Sequence, residues 1–165
     1  AEISTDGFDL TLNFAFDFGR WGSLRPQLVG SYVLSYVEDD GVLPARDQTG
    51  DPGVPEYRIN LTLPWSIGAL TTTWVTNYIP STAAATVPGN PNPLDLQRTG
   101  HVKANTLHDV QVKWDAPWNG AIIVGIRDVF DEGVSTNFSL NSPFYDQTLY
   151  NPAGRTPYAR YVQRF

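Results

Sequence analysis

The sequence predicts an all-β chain: an arc of an antiparallel transmembrane β-barrel, built from about seven strands and belonging to a larger barrel. Three observations carry this. Apolar and polar side chains alternate with period two through seven segments, as in a sheet whose two faces meet different surroundings. The connections between segments alternate strictly between short turns and long loops, as they do at the two rims of an outer-membrane barrel. Aromatic residues sort to the segment ends, every Trp but Trp74 to one rim and Tyr36, Tyr57 and Tyr78 to the other, which is where amphipathic rings meet a membrane interface.

Composition narrows the class. Within 165 residues no apolar run approaches the roughly 20 residues of a spanning helix, and the mean hydropathy is slightly negative. An alternating barrel strand averages its hydropathy away in the same manner. The 14 Gly and 13 Pro favour turns over long helices. Without cysteine, disulfides, thiolate metal sites and cysteine nucleophiles are excluded. A net charge of −6, with the acids gathered in the predicted loops, argues against a nucleic-acid partner. The opening Ala1-Glu-Ile-Ser-Thr lacks the basic start and apolar core of a signal peptide, so an exported chain would be a mature or internal piece.

The first strand spans 7–18, with Phe8, Leu10, Leu12, Phe14, Phe16 and Phe18 on one face against small and polar residues. Gly19–Gly22 is a short turn. The second strand, from about Leu24 to Val37, carries Leu24, Leu28, Tyr32, Leu34 and Tyr36 on its apolar side. At about 3.3 Å per residue it is longer than most soluble strands. An acidic, Gly- and Pro-rich loop follows from Glu38 to Pro55. The third stripe is Tyr57, Ile59, Leu61, Leu63 and Trp65, with Pro64 marking the strand end and Ser66–Gly68 a second short turn. The fourth is Leu70, Thr72, Trp74, Thr76 and Tyr78, followed by a long loop over 80–105. The fifth is His108, Val110, Val112 and Trp114, and 115–120 is the third short turn. The sixth is Ile122, Val124 and Ile126, and residues 132–153 form the third long loop.

The last strand sets Pro157, Ala159, Tyr161, Gln163 and Phe165 against Tyr158, Arg160, Val162 and Arg164. Rings on one side and cations on the other do not suit a soluble core, which would leave the charges unpaired. They do suit a wall with an apolar outside and a wet inside. A terminal Phe with Tyr four residues before it also resembles the C-terminal signal strand of bacterial outer-membrane barrels, although Gln163 stands where an apolar residue is usual. The expected belts are Trp21, Trp65, Trp114, Trp118 and Phe165 at the short-turn rim, and Tyr36, Tyr57 and Tyr78 at the long-loop rim. The lumen is expected to be lined by Arg25, Arg58, Asp109, Lys113, Arg127, Arg160 and Arg164, among other polar residues.

Seven strands joined by reversals leave the first and last running the same way, and those two cannot pair antiparallel. Open edges in lipid would expose backbone groups at several kcal/mol each. Either a strand hides in 84–105 or 134–150, or other sequence completes the barrel, and the second reading is preferred.

Ordered landmarks then resemble one family, the C-terminal barrel portion of TonB-dependent outer-membrane receptors. They are Gly7-Phe-Asp-Leu, Pro55-Glu-Tyr-Arg58 leading to Trp65, Trp74 to Ile79, Val124-Gly-Ile-Arg-Asp-Val-Phe-Asp131 with Asp128 where Asn is usual, and Tyr150-Asn-Pro-Ala-Gly-Arg155. The resemblance covers nearly the whole chain. It implies a barrel of about 22 strands around an N-terminal plug. Residues 1–165 would be a C-terminal segment of that wall, with no plug domain and no TonB-contacting box. It implies active import of a scarce solute across the outer membrane of a Gram-negative bacterium, of the siderophore, vitamin, oligosaccharide or peptide class. The implied partners are the remaining strands and plug, the TonB system acting through the plug, and outer-membrane lipid.

Catalytic chemistry has little support: there is no nucleophile elbow, and His101 and His108 lie in or beside one loop. The acids Glu38, Asp39, Asp40, Asp47 and Asp51 match no calcium-loop spacing. The chain is therefore read as no enzyme, with no cofactor and no metal. Solute contacts, from position in the long loops alone, are Asn92, Asp95, Tyr145 and Tyr150. Two alternatives remain open in the residues. One is a soluble extracellular β-sandwich that binds carbohydrate and buries the Phe8–Phe18 stripe. The other is a small self-contained barrel enzyme or adhesin, which would need an eighth strand.

Overall fold

The computed structural model describes residues 2–39, 41, 45–83, 101–136 and 143–163. Its strands, in chain order, are β1 (Glu2–Asn13), β2 (Phe16–Asp17), β3 (Ser23–Leu24), β4 (Gln27–Asp39), β5 (Arg46–Asp47), β6 (Tyr57–Ile67), β7 (Leu70–Ile79), β8 (Thr82–Ala83), β9 (His101–Val102), β10 (Asn105–Ala116), β11 (Gly120–Arg127) and β12 (Thr156–Gln163). The long strands β1, β4, β6, β7, β10, β11 and β12 form one sheet in sequence order, each pair antiparallel. The sheet is open among the described residues: β1 and β12 are its edges and run in the same direction.

Register aligns the stripes across every strand. Leu12, Leu28, Leu61, Thr76 and His108 stand in one row, and Trp65, Thr72, Val112, Val124 and Ala159 in another. Opposed residues share a face in an antiparallel ladder, so the apolar face is continuous over seven strands. No second sheet covers it among the described residues. Phe8, Leu10, Leu12, Phe14, Phe16 and Phe18 are all exposed, and among the described residues no large side chain is fully buried. A soluble sandwich would place that stripe at its centre; here it faces outward, against the sandwich alternative.

Several boundaries differ from expectation for identifiable reasons. The first strand is β1 over 2–13 and a separate β2, rather than one run over 7–18. Its ladder stops at Asn13–Gln27 because the next residue across is Pro26, which has no N–H to give; Pro26 only accepts, from the Phe14 N–H at 2.9 Å. Pro64 does not end its strand, since β6 continues to Ile67. A residue's N–H and C=O point to the same antiparallel neighbour, and the Pro64 carbonyl accepts from Arg25 N–H at 3.1 Å, in the break between β3 and β4. The missing N–H thus falls where no ladder runs. In the loop expected from Glu38 onward, β4 extends to Asp39 and pairs with β5. The 80–105 stretch contributes β8, β9 and the start of β10.

A bulge resets the alternation near the long-loop end. The pairing steps from Gly7–Val33 to Asp6–Ser35, leaving Leu34 as the extra residue. Tyr36 lies beyond it, opposite Thr5, so the stripe through Tyr32 is not carried on to Tyr36 by simple alternation.

Candidate functional site

The long-loop ends are the best-packed part of the chain. Tyr150, Val102, Thr82, Asp51, Asn105, Asp128 and Ser135 are buried there, although the sheet below is thinly covered. Backbone bonds tie one loop to the next. Ala83 N–H donates to the Gly50 carbonyl at 2.8 Å, and Val129 N–H to the His108 carbonyl at 2.8 Å. Asn105 Nδ2 donates to the Gly133 carbonyl at 3.1 Å. A small cavity is enclosed by Pro52, Gly53, Thr82, Val102, Ser135, Asp146, Leu149 and Tyr150. Three connections distant in sequence meet at it.

Carboxylates build these loops by capping backbone N–H groups. Asp146 Oδ1 accepts from Thr148 N and Oγ1 at 2.8 and 2.6 Å. Asp109 Oδ1 accepts from Asp128 N at 2.8 Å, and Asp128 Oδ1 from Glu132 N at 2.9 Å. Asp131 Oδ1 accepts from Arg155 N at 2.9 Å, which brings the end of the last loop back to β11. Such local acceptors fix turns that the backbone alone leaves open.

Of the expected solute contacts, Tyr145 is half-buried and Tyr150 is buried at 6% exposure. Among the described residues the Tyr150 hydroxyl has no hydrogen-bond partner within bonding geometry. Burial raises this phenol above its ordinary pKa of 10.0; Ser135 and Arg58 nearby pull it down, and Asp146 adds to the rise. Asn92 and Asp95 lie outside the described residues.

The polar face collects the expected lumen residues. Arg58 stands opposite Ser31, and Arg160 opposite Ile123, which is itself opposite Lys113. Lys113 Nζ pairs with Asp115 Oδ2 at 2.8 Å. The Arg127 guanidinium lies 5.5 Å from the centre of the Tyr158 ring, whose hydroxyl donates to Gln111 Oε1 at 2.9 Å. Arg25 is exposed beside Pro64, and Arg164 lies outside the described residues. Asn60 Nδ2 donates to Asn77 Oδ1 at 2.6 Å, and Gln27 Nε2 to Asn13 Oδ1 at 3.0 Å.

On the apolar face the rings form two clusters at opposite ends. Phe8, Tyr32, Tyr57 and Tyr78 stack successively at 5.4, 6.4 and 6.1 Å across β1, β4, β6 and β7. At the short-turn rim Trp114 meets Trp118 edge-to-face at 5.4 Å, and Trp65 Nε1 donates to the Trp21 carbonyl at 2.9 Å. Phe165 is outside the described residues. Sequence reasoning placed Asp109 in the lumen lining and missed its loop-building role, together with that of Asp128, Asp131 and Asp146. Only an Asp two to four residues before the N–H it caps could have signalled some of them. It also missed the Trp74–His108–Phe130 cluster, whose rings lie 5.2–6.1 Å apart.

No family model matches the sequence, and no curated protein matches it. Solved structures do match the fold. Two mutant forms of the ferric enterobactin receptor (PfeA) from Pseudomonas aeruginosa are similar, with TM-scores of 0.60 and 0.58, each at 15% identity. Each similarity covers 95% of this chain and 22% of the receptor chain. This chain therefore spans less than a quarter of the length of the receptors it resembles. PfeA is a TonB-dependent receptor. The fold of this chain is that of a sector of a TonB-dependent receptor barrel, open at both edges among the described residues.

Proposed function

We propose that this chain is the C-terminal sector of an active transporter in a bacterial outer membrane, importing a scarce solute through a TonB-energised barrel. One observation carries the reading: an apolar face continuous over seven strands, with ring clusters at both ends and a polar face behind it. Such a sheet is stable where one side meets hydrocarbon and the other meets a wet lumen. The two open edges call for further strands, because unpaired N–H and C=O groups in lipid cost several kcal/mol each. In this reading the remaining strands, a plug and the TonB system are partners. The polar row from Arg58 to Arg160 lines the lumen, and the packed loops face outside the cell. The protein does no covalent chemistry on its solute.

A ferric siderophore is the first solute class to test, since the similar structures are receptors for one. Cells producing the complete protein should accumulate radiolabelled ferric siderophore, and a protonophore should abolish the uptake. Accumulation that persists in uncoupled cells would exclude energised transport. Vitamin, oligosaccharide and peptide panels follow if no siderophore competes.

A further inference from the structure

We propose a binding groove for an anionic glycerophospholipid on the apolar face at the short-turn rim, an inference that rests on the membrane-barrel reading above. The β2–β3 hairpin folds back beside β6, with Leu24 opposite both Phe16 and Trp65. Between hairpin and strand lies an open groove of about 420 Å³, lined by Phe18, Trp21, Leu24 and Trp65. That volume is within the range of small-molecule sites. Every lining side chain is apolar or aromatic, so the groove suits a hydrocarbon chain.

The groove is built by a defined turn. Phe18 N–H donates to the Gly22 carbonyl at 2.8 Å, and Gly22 N–H to the Gly19 carbonyl at 3.0 Å. Gly22 has φ +88°, and a Cβ there would fall 2.1 Å from the Ser66 carbonyl oxygen, so only glycine lets the hairpin lie this close to β6. The Trp65 indole, donating to the Trp21 carbonyl, fixes the opposite wall.

A cation stands against the Trp21 wall. The Arg20 guanidinium lies 5.1 Å from the centre of the Trp21 ring, and among the described residues it forms no ion pair. Asp17, the nearest acid in sequence, belongs to the other face of its strand, and its Oδ1 accepts the Gly19 N–H at 2.8 Å. An apolar trough beside a guanidinium that has no ion-pair partner among the described residues is complementary to a lipid whose acyl chain fills the trough and whose phosphate accepts two parallel hydrogen bonds from the guanidinium. A headgroup without a choline cation leaves that attraction unopposed, which favours the anionic lipid.

The test uses the complete protein reconstituted in phosphatidylcholine vesicles. These are doped with a small fraction of acyl-brominated phosphatidylglycerol or, in parallel, of acyl-brominated phosphatidylcholine. The Trp65 signal is taken as the difference between wild type and Trp65→Phe. Brominated phosphatidylglycerol should quench Trp65 roughly five-fold more effectively per mole than the zwitterionic lipid, the preference worth one basic side chain at a membrane surface. Arg20→Gln should erase that preference and leave quenching by brominated phosphatidylcholine in place. Equal quenching by the two lipids in wild type would overturn the groove while leaving the barrel standing. No quenching by either would overturn both. Loss of quenching together with a cross-linked dimer would put a second copy in the groove, against the lipid.

Discussion

The Trp118 indole Nε1–H donates to the Tyr161 hydroxyl at 3.1 Å, joining the β10–β11 turn to β12 across 43 residues. The Tyr161 hydroxyl donates in turn to Gln163 Oε1, and Gln163 Nε2 donates to the Trp118 carbonyl at 3.2 Å. The ring closes over Gly120, where a Cβ would come 2.7 Å from the indole nitrogen. This accounts for a polar Gln163 at a position where an apolar residue is usual. Gln163→Leu removes two of the three bonds and should lower stability by about 1 kcal/mol, read as a shift in the urea midpoint. Tyr161→Phe should cost a similar amount, and the double variant little more than either single one. A more stable Gln163→Leu would show that apolar contact outweighs the ring.

Gly125 is covered by the ring of Tyr158, its partner in the β11–β12 ladder. A Cβ at Gly125 would sit 2.6–2.8 Å from three Tyr158 ring and hydroxyl atoms. Gly125→Ala must therefore push the ring off its bond to Gln111 and its stacking with Arg127. The expected cost is about 1–3 kcal/mol, measured by urea unfolding. In a Tyr158→Ala background the same Gly125→Ala change should cost less than about 0.5 kcal/mol, because nothing is left to displace. Additive costs in the two backgrounds would refute this coupling.

The sheet was legible because side-chain parity survives register. Once Phe8–Leu12, Tyr57–Trp65 and Val110–Trp114 alternate in sequence, an antiparallel ladder can only bring them onto one face. Strand ends were less legible. Pro26 stops a ladder and Pro64 does not, and the difference lies in which neighbour each missing N–H would have faced. The bulge at Leu34 was invisible, since Val33, Leu34 and Ser35 alternate as if no residue were extra. The packed loops were read only by position. Their order depends on carboxylates such as Asp146, which cap backbone N–H groups and leave no periodic trace. The lipid groove was hidden for a related reason: its walls come from two elements, and Leu24 meets Trp65 only through the register of β3 on β6.

Asp128 has φ +48°, is buried, and accepts the Glu132 N–H at 2.9 Å. Asn shares its tolerance of the left-handed region and keeps an acceptor oxygen. Asp128→Asn should therefore change stability by less than about 0.5 kcal/mol, whereas Asp128→Ala should cost about 1–3 kcal/mol by removing the acceptor of the half-buried Glu132 N–H and placing a residue without a polar side chain in the left-handed region. Nearby, Lys103 and Glu132 pair at 2.8 Å, but the lysine is 78% exposed. Glu132→Gln should cost less than about 0.5 kcal/mol, since an exposed pair in water contributes little. Limited proteolysis of the 128–136 segment ranks the three variants. A Glu132→Gln chain cleaved as fast as Asp128→Ala would reverse the assignment.

Tyr150 gives the loop cluster a pH limit. Burial raises its phenol above 10.0 in the folded chain, outweighing the opposite pull of Ser135 and Arg58. The folded state thus holds the proton more tightly than the unfolded one, and the associated stability is complete below pH 10. As pH climbs past 10 the unfolded phenol ionises first, and the contribution is lost as pH passes through the raised folded value. Ionised Tyr150 would place a charge in the small cavity beside Asp146. The cluster should therefore loosen at alkaline pH, seen as faster hydrogen exchange in 146–150 after correction for the intrinsic base-catalysed rate. Tyr150→Phe keeps the ring, removes the titrating group and should flatten that dependence while matching or exceeding wild-type protection at pH 8. A Tyr150→Phe chain that loosens over the same interval would assign the transition to another group.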